Sequence, residues 1–325
     1  MEWNLLIQES NGKITELSKM TCKVVYTTNR TGSPGRLDIT IIDPDIKLKL
    51  REGAPVRFSI NGKVIFYGFI FVLSKDRWGL NSIVAYDQTR YLLTNWDYYF
   101  EGVTAGQVIL RIAKQYNLAV GKIEDTGYAI PKLIQEDTSC FDVIRRTIAL
   151  TKQNTGKIFI FFDDAGALSL REAQNLAMPV VIGSKSLLTE YTFKSDIDSE
   201  TYNQIVLVRP NKETGIASMK LERDDKTIAQ WGLLQKYERV DEQLNDAQMT
   251  QQAKTMLKYY NRALKTFQGD CVGIPELTSM RAGNMVMLNL PGTDISSSKF
   301  VLLDKVIHTY ESESHTIKFE TRTII

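Results

Sequence analysis

Apolar and polar residues alternate along Val56-Arg57-Phe58-Ser59-Ile60, the period-two pattern of a half-buried strand. Asn61-Gly62 follows, the dipeptide favoured in two-residue hairpin turns because both central positions need positive φ. Residues 63–73 return as a long strand rich in β-branched and aromatic side chains. The same pattern predicts strands at 21–27 and 36–42, joined by the turn Gly32-Ser33-Pro34-Gly35, and another at 81–86. Five short strands separated by turns predict a small barrel or sandwich.

The period changes near Glu101. Thr104 is placed to cap a helix reaching about Tyr116, with Val108, Ile109, Ile112 and Ala113 on one face. Pro131 marks a loop. Ser139 and Asp142 make a capping-box-like pair that opens a second helix with Phe141, Ile144 and Ile148 as its apolar stripe. Residues 157–162 and 167–171 read as a hairpin around Asp163-Asp164-Ala165-Gly166. Strands then return at 203–209 and 217–222, joined through 211–215. A helix at 246–264 carries Ala253, Leu257, Tyr260 and Leu264 on one face, and closing strands fall at 284–290, 299–308 and 316–321. The fold expected is α+β, mainly β: a first β domain over 1–100, a small α+β insert over 101–175, and a second β domain over 176–325 containing the long helix.

Two segments echo each other. Leu50-Arg51-Glu52-Gly53-Ala54-Pro55-Val56 is matched by Met280-Arg281-Ala282-Gly283-Asn284-Met285-Val286. Each is an apolar residue, Arg, any residue, Gly, two more residues and a valine-led strand. A turn that feeds a strand often needs φ > 0, which glycine adopts without steric cost. Hairpins in general look alike at this level; if the echo is real, the chain holds two copies of one β domain around the insert.

Composition narrows the function. Forty basic and 38 acidic residues give a net charge of +2, too balanced for a dedicated nucleic-acid binder. Cys22, Cys140 and Cys271 are far apart and odd in number, which suits buried thiols in a reducing compartment. There is no signal-peptide pattern at the N-terminus, and no apolar run reaches the roughly 18 residues of a membrane helix.

Catalytic motifs are not found: no nucleophile elbow, no H-E-x-x-H, and no complete phosphate loop at Asn154-Thr155-Gly156-Lys157 or Gly183-Ser184-Lys185-Ser186. Asp163-Asp164 and Asp196-Ile197-Asp198 read as solvated turns. His308 and His315 flank a hairpin tip and would face each other across it, near Glu311 and Glu313; that set could hold zinc, but it matches no standard spacing. No catalytic, cofactor or metal residues are assigned. Tyr91, Trp96, Tyr98, Tyr99 and Phe100 form an aromatic cluster open to two main readings, core packing at a domain junction or a protein interface.

The run Gly53-x-x-Val56, Phe66-Tyr67-Gly68-Phe69-Ile70, Ala85-Tyr86-Asp87-Gln88-Thr89-Arg90-Tyr91-Leu92-Leu93 and Thr104-Ala105-Gly106-Gln107 resembles the XkdQ/YqbQ-type proteins of phage-like particles. Tyr202-Asn203-Gln204-Ile205, Trp231-Gly232-Leu233-Leu234-Gln235 and Arg281-Ala282-Gly283-Asn284 fit in the same order. That family is similar to the baseplate hubs of contractile tails, prophage-like particles and tail-like bacteriocins. The resemblance implies two tail-tube-like β-barrels per chain and no enzymatic activity or cofactor. It implies a homotrimeric ring joining a hexameric tail tube to a trimeric spike, in contact with other baseplate proteins including a LysM-bearing one. It places the chain in a virion or tail-like particle, assembled in the bacterial cytoplasm and released by lysis, with DNA only as passing cargo. The alternatives are a peptidoglycan-binding module, for which the insert has a LysM-like look, and a cell-wall hydrolase.

Overall fold

The computed structural model describes residues 2–43, 48–183, 186–210, 217–240, 242, 244–290, 299–311 and 314–324. Ser184-Lys185, the joint 211–215 and Glu313 lie outside the described residues. The chain forms two compact units, Met1–Thr192 with Gln268–Ile325, and Phe193–Phe267.

The alternation seen in sequence is alternation in space. Leu37, Ile39 and Ile41 are buried while Arg36 and Ile42, on the other face of the Arg36–Ile42 strand, are exposed. Asn61 and Gly62 both take positive φ, +47° and +79°, as the hairpin between Pro55–Ile60 and Lys63–Lys75 requires. Eleven strands make one sheet. Its order is Leu188–Asp196, Leu264–Val272, Ser314–Thr321, Lys305–Glu311, Thr21–Asn29, Arg36–Ile42, Leu80–Tyr86, Lys63–Lys75, Pro55–Ile60, Trp3–Gln8 and Ile14–Glu16. Among the described residues the ladder runs between two end strands and does not close into a barrel. The fold is mainly β, as the alternation predicts.

The order repeats a unit. Thr21–Asn29, Arg36–Ile42, Leu80–Tyr86 and Lys63–Lys75 are neighbours in the sequence order first, second, fourth, third. Leu188–Asp196, Leu264–Val272, Ser314–Thr321 and Lys305–Glu311 lie in the same order. The hydrogen bonds agree. Gly53 N donates to Ile70 O (2.7 Å) and Ile70 N to Ala54 O (2.9 Å); Gly283 N donates to Leu303 O (2.8 Å) and Leu303 N to Asn284 O (3.0 Å). Asp43 N donates to Gly79 O as Gly273 N does to His315 O, each at 2.8 Å. The echo between the two Arg-x-Gly segments is thus the same turn built twice.

Both turn glycines sit at positive φ, Gly53 at +74° and Gly283 at +92°, but their surroundings differ. A Cβ on Gly53 would meet open space, whereas one on Gly283 would collide with Ile160 Cγ2. Gly53→Ala should therefore cost only the left-handed backbone penalty, about 1–2 kcal/mol, and Gly283→Ala clearly more. Urea midpoints of the two variants check the order; equal losses would mean that Ile160 yields freely.

Between the two runs, Thr104 caps the helix Ala105–Gln115 in a full capping box with Gln107, and Ser139 caps Cys140–Thr155, which ends at Gly156 with φ +75°. These helices pack Val108, Ile109, Ile112, Val143 and Ile144 on a two-stranded ribbon, Asn95–Val103 with Ile130–Ser139. Pro131 therefore lies in a strand rather than a loop. Each strand of a two-stranded ribbon is an edge, so the missing N–H is tolerated. The expected hairpin is present as Phe159–Asp163 and Leu168–Glu172, extended by Val120–Ile123 running parallel to it.

In the second unit Gln204–Arg209 pairs antiparallel with Ser218–Arg223 and parallel with Gln235–Arg239. The helix Asp246–Tyr260 buries Met249 and Ala253 against Ile205 and Leu207. It is capped by Asn245 with Gln248 and stops at Asn261, so Leu264 opens the next strand instead of extending the helix stripe.

Candidate assembly site

The two four-strand runs meet in the first unit. Lys305–Glu311 pairs antiparallel with Thr21–Asn29, setting His308 opposite Tyr26 and Tyr310 opposite Val24. Tyr310 thereby joins the core of the N-terminal strands with Leu37, Ile39, Phe58 and Phe66. Ion pairs close both ends of this seam. Lys23 Nζ meets Glu311 Oε1 at 2.5 Å. At the other end the Arg30 guanidinium reaches Asp304 Oδ1 through Nε (2.7 Å) and Nη2 (2.6 Å), while Arg30 N donates to Asp304 O (2.8 Å). Nothing in the sequence ties Arg30 to Asp304 except the strand register that places them together.

Behind the seam sits a buried polar knot. Asp87 accepts from Gly35 N (2.9 Å), Thr89 N (2.9 Å) and Thr89 Oγ1 (2.5 Å). Asp163 accepts from Gly166 N (2.6 Å), and Arg281, the arginine of the second repeated turn, donates Nη1 to Asp163 O (2.7 Å) over the Phe162 ring. Asp163 is 3% exposed, so the turn expected to be solvated carries a buried carboxylate. Burial pushes Asp87 up to about 7, with Asp163 adding repulsion and Arg281 opposing both.

The two histidines are not the open pair the hairpin suggested. His308 pairs in register with Ile317 and His315 with Tyr310, so the rings meet diagonally, His308 Nδ1 to His315 Nε2 at 2.9 Å. His308 Nε2 lies 2.6 Å from Met280 O, and both rings are buried. Glu311 points away to Lys23. Among the described residues no group of three or more His, Cys, Asp or Glu side chains is arranged to hold a metal ion.

The sheet face opposite the core is charge-balanced in its ion pairs and also exposes Ile42 and Leu80. It carries the pairs Arg36–Asp38, Lys23–Glu311, Lys318–Asp270 and Lys305–Glu320. One strand segment is left with a single neighbour. Lys63–Lys75 pairs with Pro55–Ile60 through Phe69 and with Leu80–Tyr86 from Phe69 to Lys75. Among the described residues nothing pairs with its 71–75 stretch on the far side, where Val72 is half exposed.

The structure separates the aromatic cluster. Tyr98 and Phe100 are buried and stacked at 5.4 Å, with Tyr98 Oη bonded to Gln115 Oε1 (3.1 Å). Trp96 and Tyr99 are exposed, 55% and 58%. Tyr91 packs on Phe69 and Phe71 and is also partly exposed. Phe100→Ala should cost about 3–5 kcal/mol as a core deletion, and Trp96→Ser and Tyr99→Ser within about 0.5 kcal/mol of nothing. Thermal unfolding of the three variants tests this division, and a large loss at Trp96 would return it to the core.

A family model described as YQBQ-like matches residues 24–322. The chain belongs to the YQBQ-like family. Among curated relatives, this YQBQ-like chain is 30% identical over 301 residues to "Phage-like element PBSX protein XkdQ" of Bacillus subtilis, covering 90% of this chain and 89% of the relative. Among solved structures it resembles a tail protein from Neisseria meningitidis, with a TM-score of 0.71 and 14% identity over 99% of this chain and 97% of that one. It also resembles the 43 kDa tail protein of prophage MuSo2 from Shewanella oneidensis, with a TM-score of 0.68 and 14% identity over 98% of each chain. At those identities the likeness is one of fold.

Proposed function

We propose that this YQBQ-like chain is the baseplate hub of a contractile tail or tail-like particle, a structural part without catalytic activity. The observation that carries this reading is the four-strand run occurring twice with the same order and the same turn. A chain with two like modules joined side by side can match six-fold symmetry with three copies, because a heterologous interface that closes at three gives a ring of six modules. On this reading the two runs are parts of two tube-like barrel domains completed only by assembly. One face of the homotrimer meets the hexameric tail tube and the other the trimeric spike. Other baseplate proteins, a LysM-bearing one among them, dock around it.

The charge-balanced sheet face suits a lumen along which DNA passes without being held. The chain would assemble in the bacterial cytoplasm and leave in the particle on lysis. Copy number in isolated particles tests the proposal. Three chains for each six-membered ring of tube protein are expected, and six chains or none would overturn it.

A further inference from the structure

We propose that the buried polar knot is built around one internal water molecule, held between Asp163 Oδ2 and Arg281 Nε. The site lies within one chain, so it stands or falls apart from the ring reading.

The knot leaves two polar atoms over. Asp163 Oδ2 and Arg281 Nε are both buried, and neither has a hydrogen-bond partner within the chain. The other atoms are committed: Asp163 Oδ1 accepts from Gly166 N (2.6 Å), and Arg281 Nη1 donates to Asp163 O (2.7 Å). A donor or acceptor buried without a partner is costly, and native chains commonly satisfy one with an ordered water. Asp163 and Arg281 line the same small cavity, of about 10 Å³. That is about the room one water needs, and no more.

The chemistry of the pair selects the occupant. A cation would suit the carboxylate but would face the guanidinium at close range. An anion would suit the guanidinium but would face Asp163 and also Asp87, which lines the same cavity. Only a neutral molecule that both donates and accepts meets both atoms, and at this volume that molecule is water. Ser33, on the same wall, offers it a further contact. Its Oγ accepts from Asn29 Nδ2 (2.8 Å), and among the described residues no acceptor takes its own proton. Phe141, Phe161 and Phe162 give the cavity an apolar side, with the first two rings in edge contact at 6.2 Å. Those rings offer no competing hydrogen bonds, so the water should be held in one place.

The placement gives the water a structural task. Asp163 ends a strand of the insert and Arg281 belongs to the second repeated turn, while Thr28 on the cavity wall comes from the first run. Through the water the insert gains a second bond to that turn, beside the direct one from Arg281 Nη1 to Asp163 O.

The test is a crystal structure of the full chain at a resolution that shows ordered water, followed by soaks in thallium(I), manganese(II) and bromide salts. The expected result is one peak within about 3.2 Å of both Asp163 Oδ2 and Arg281 Nε, with no anomalous signal there in any soak. A thallium or manganese signal makes this a cation site and a bromide signal an anion site, and either overturns the proposal. So does a cavity without a peak, or Asp163 Oδ2 bonded directly to Asp87 with nothing between them.

Discussion

Replacing Arg281 by methionine should destabilise the chain by about 3–5 kcal/mol, the cost of stripping a buried charge of its partner. Arg281 holds Asp163 O at 2.7 Å and lies over the Phe162 ring. It is also the cation that offsets Asp163 and Asp87, and Asp163 Oδ2 is buried with no hydrogen-bond partner. The loss should depend on pH. Burial raises both carboxyls, so from about pH 4 to 7 the folded state binds more protons than the unfolded one. Stability therefore falls as pH rises through that window. Without Arg281 the carboxyls rise further, so the variant should be weakest at pH 8 and recover toward pH 5. Urea denaturation at both values decides it; an equal loss at both would show that the guanidinium acts by packing alone.

The second large effect runs the other way. Because His308 Nε2 faces a carbonyl it must carry a proton, so Nδ1 accepts from His315 Nε2 and both rings are neutral. Burial holds His308 down to about 3 and His315 to about 4. In the unfolded chain both titrate near 6.5. From about pH 6.5 down to 4 the unfolded state therefore binds more protons, and stability should fall on acidification by up to about 1.4 kcal/mol per pH unit for each ring. The carboxyls at the knot oppose this, so the native chain shows only the difference. Asp87→Asn should steepen acid destabilisation, and the double variant His308→Gln, His315→Gln should flatten it even while lowering the midpoint at pH 8. If Asp87→Asn leaves the pH dependence of the urea midpoint unchanged, the two sets of groups are not in opposition.

Local features were readable in the sequence because local chemistry decides them. The Asn61-Gly62 turn, the Thr104 and Ser139 caps and the Arg36–Ile42 strand need only their own side chains and immediate neighbours. What was not readable depended on distant partners. Leu188–Asp196 is largely exposed and shows no apolar stripe, so only its place in the ladder makes it a strand. Pro131 argued for a loop because the sequence cannot say that its strand has one neighbour. The aromatic cluster read as one patch because adjacent residues on a strand point to opposite faces, and Tyr98 and Tyr99 part company there. The repeated Arg-x-Gly turn was visible, but the use of Arg281 to hold Asp163 required the fold.

The pairing of Val24 with Tyr310 has a consequence for synthesis. When strand Thr21–Asn29 leaves the ribosome its future neighbour does not yet exist. At roughly 5–20 residues per second, about 15–60 s of translation separate the two. Throughout that time the nascent chain offers an adhesive edge at its amino-terminal end, and polysomes crowded with the same message would bring many such edges together. In the proposed ring of three copies, covalent linkage of the two runs would remove half of the joins that must be found by collision, at the cost of leaving the first run incomplete until translation nears its close.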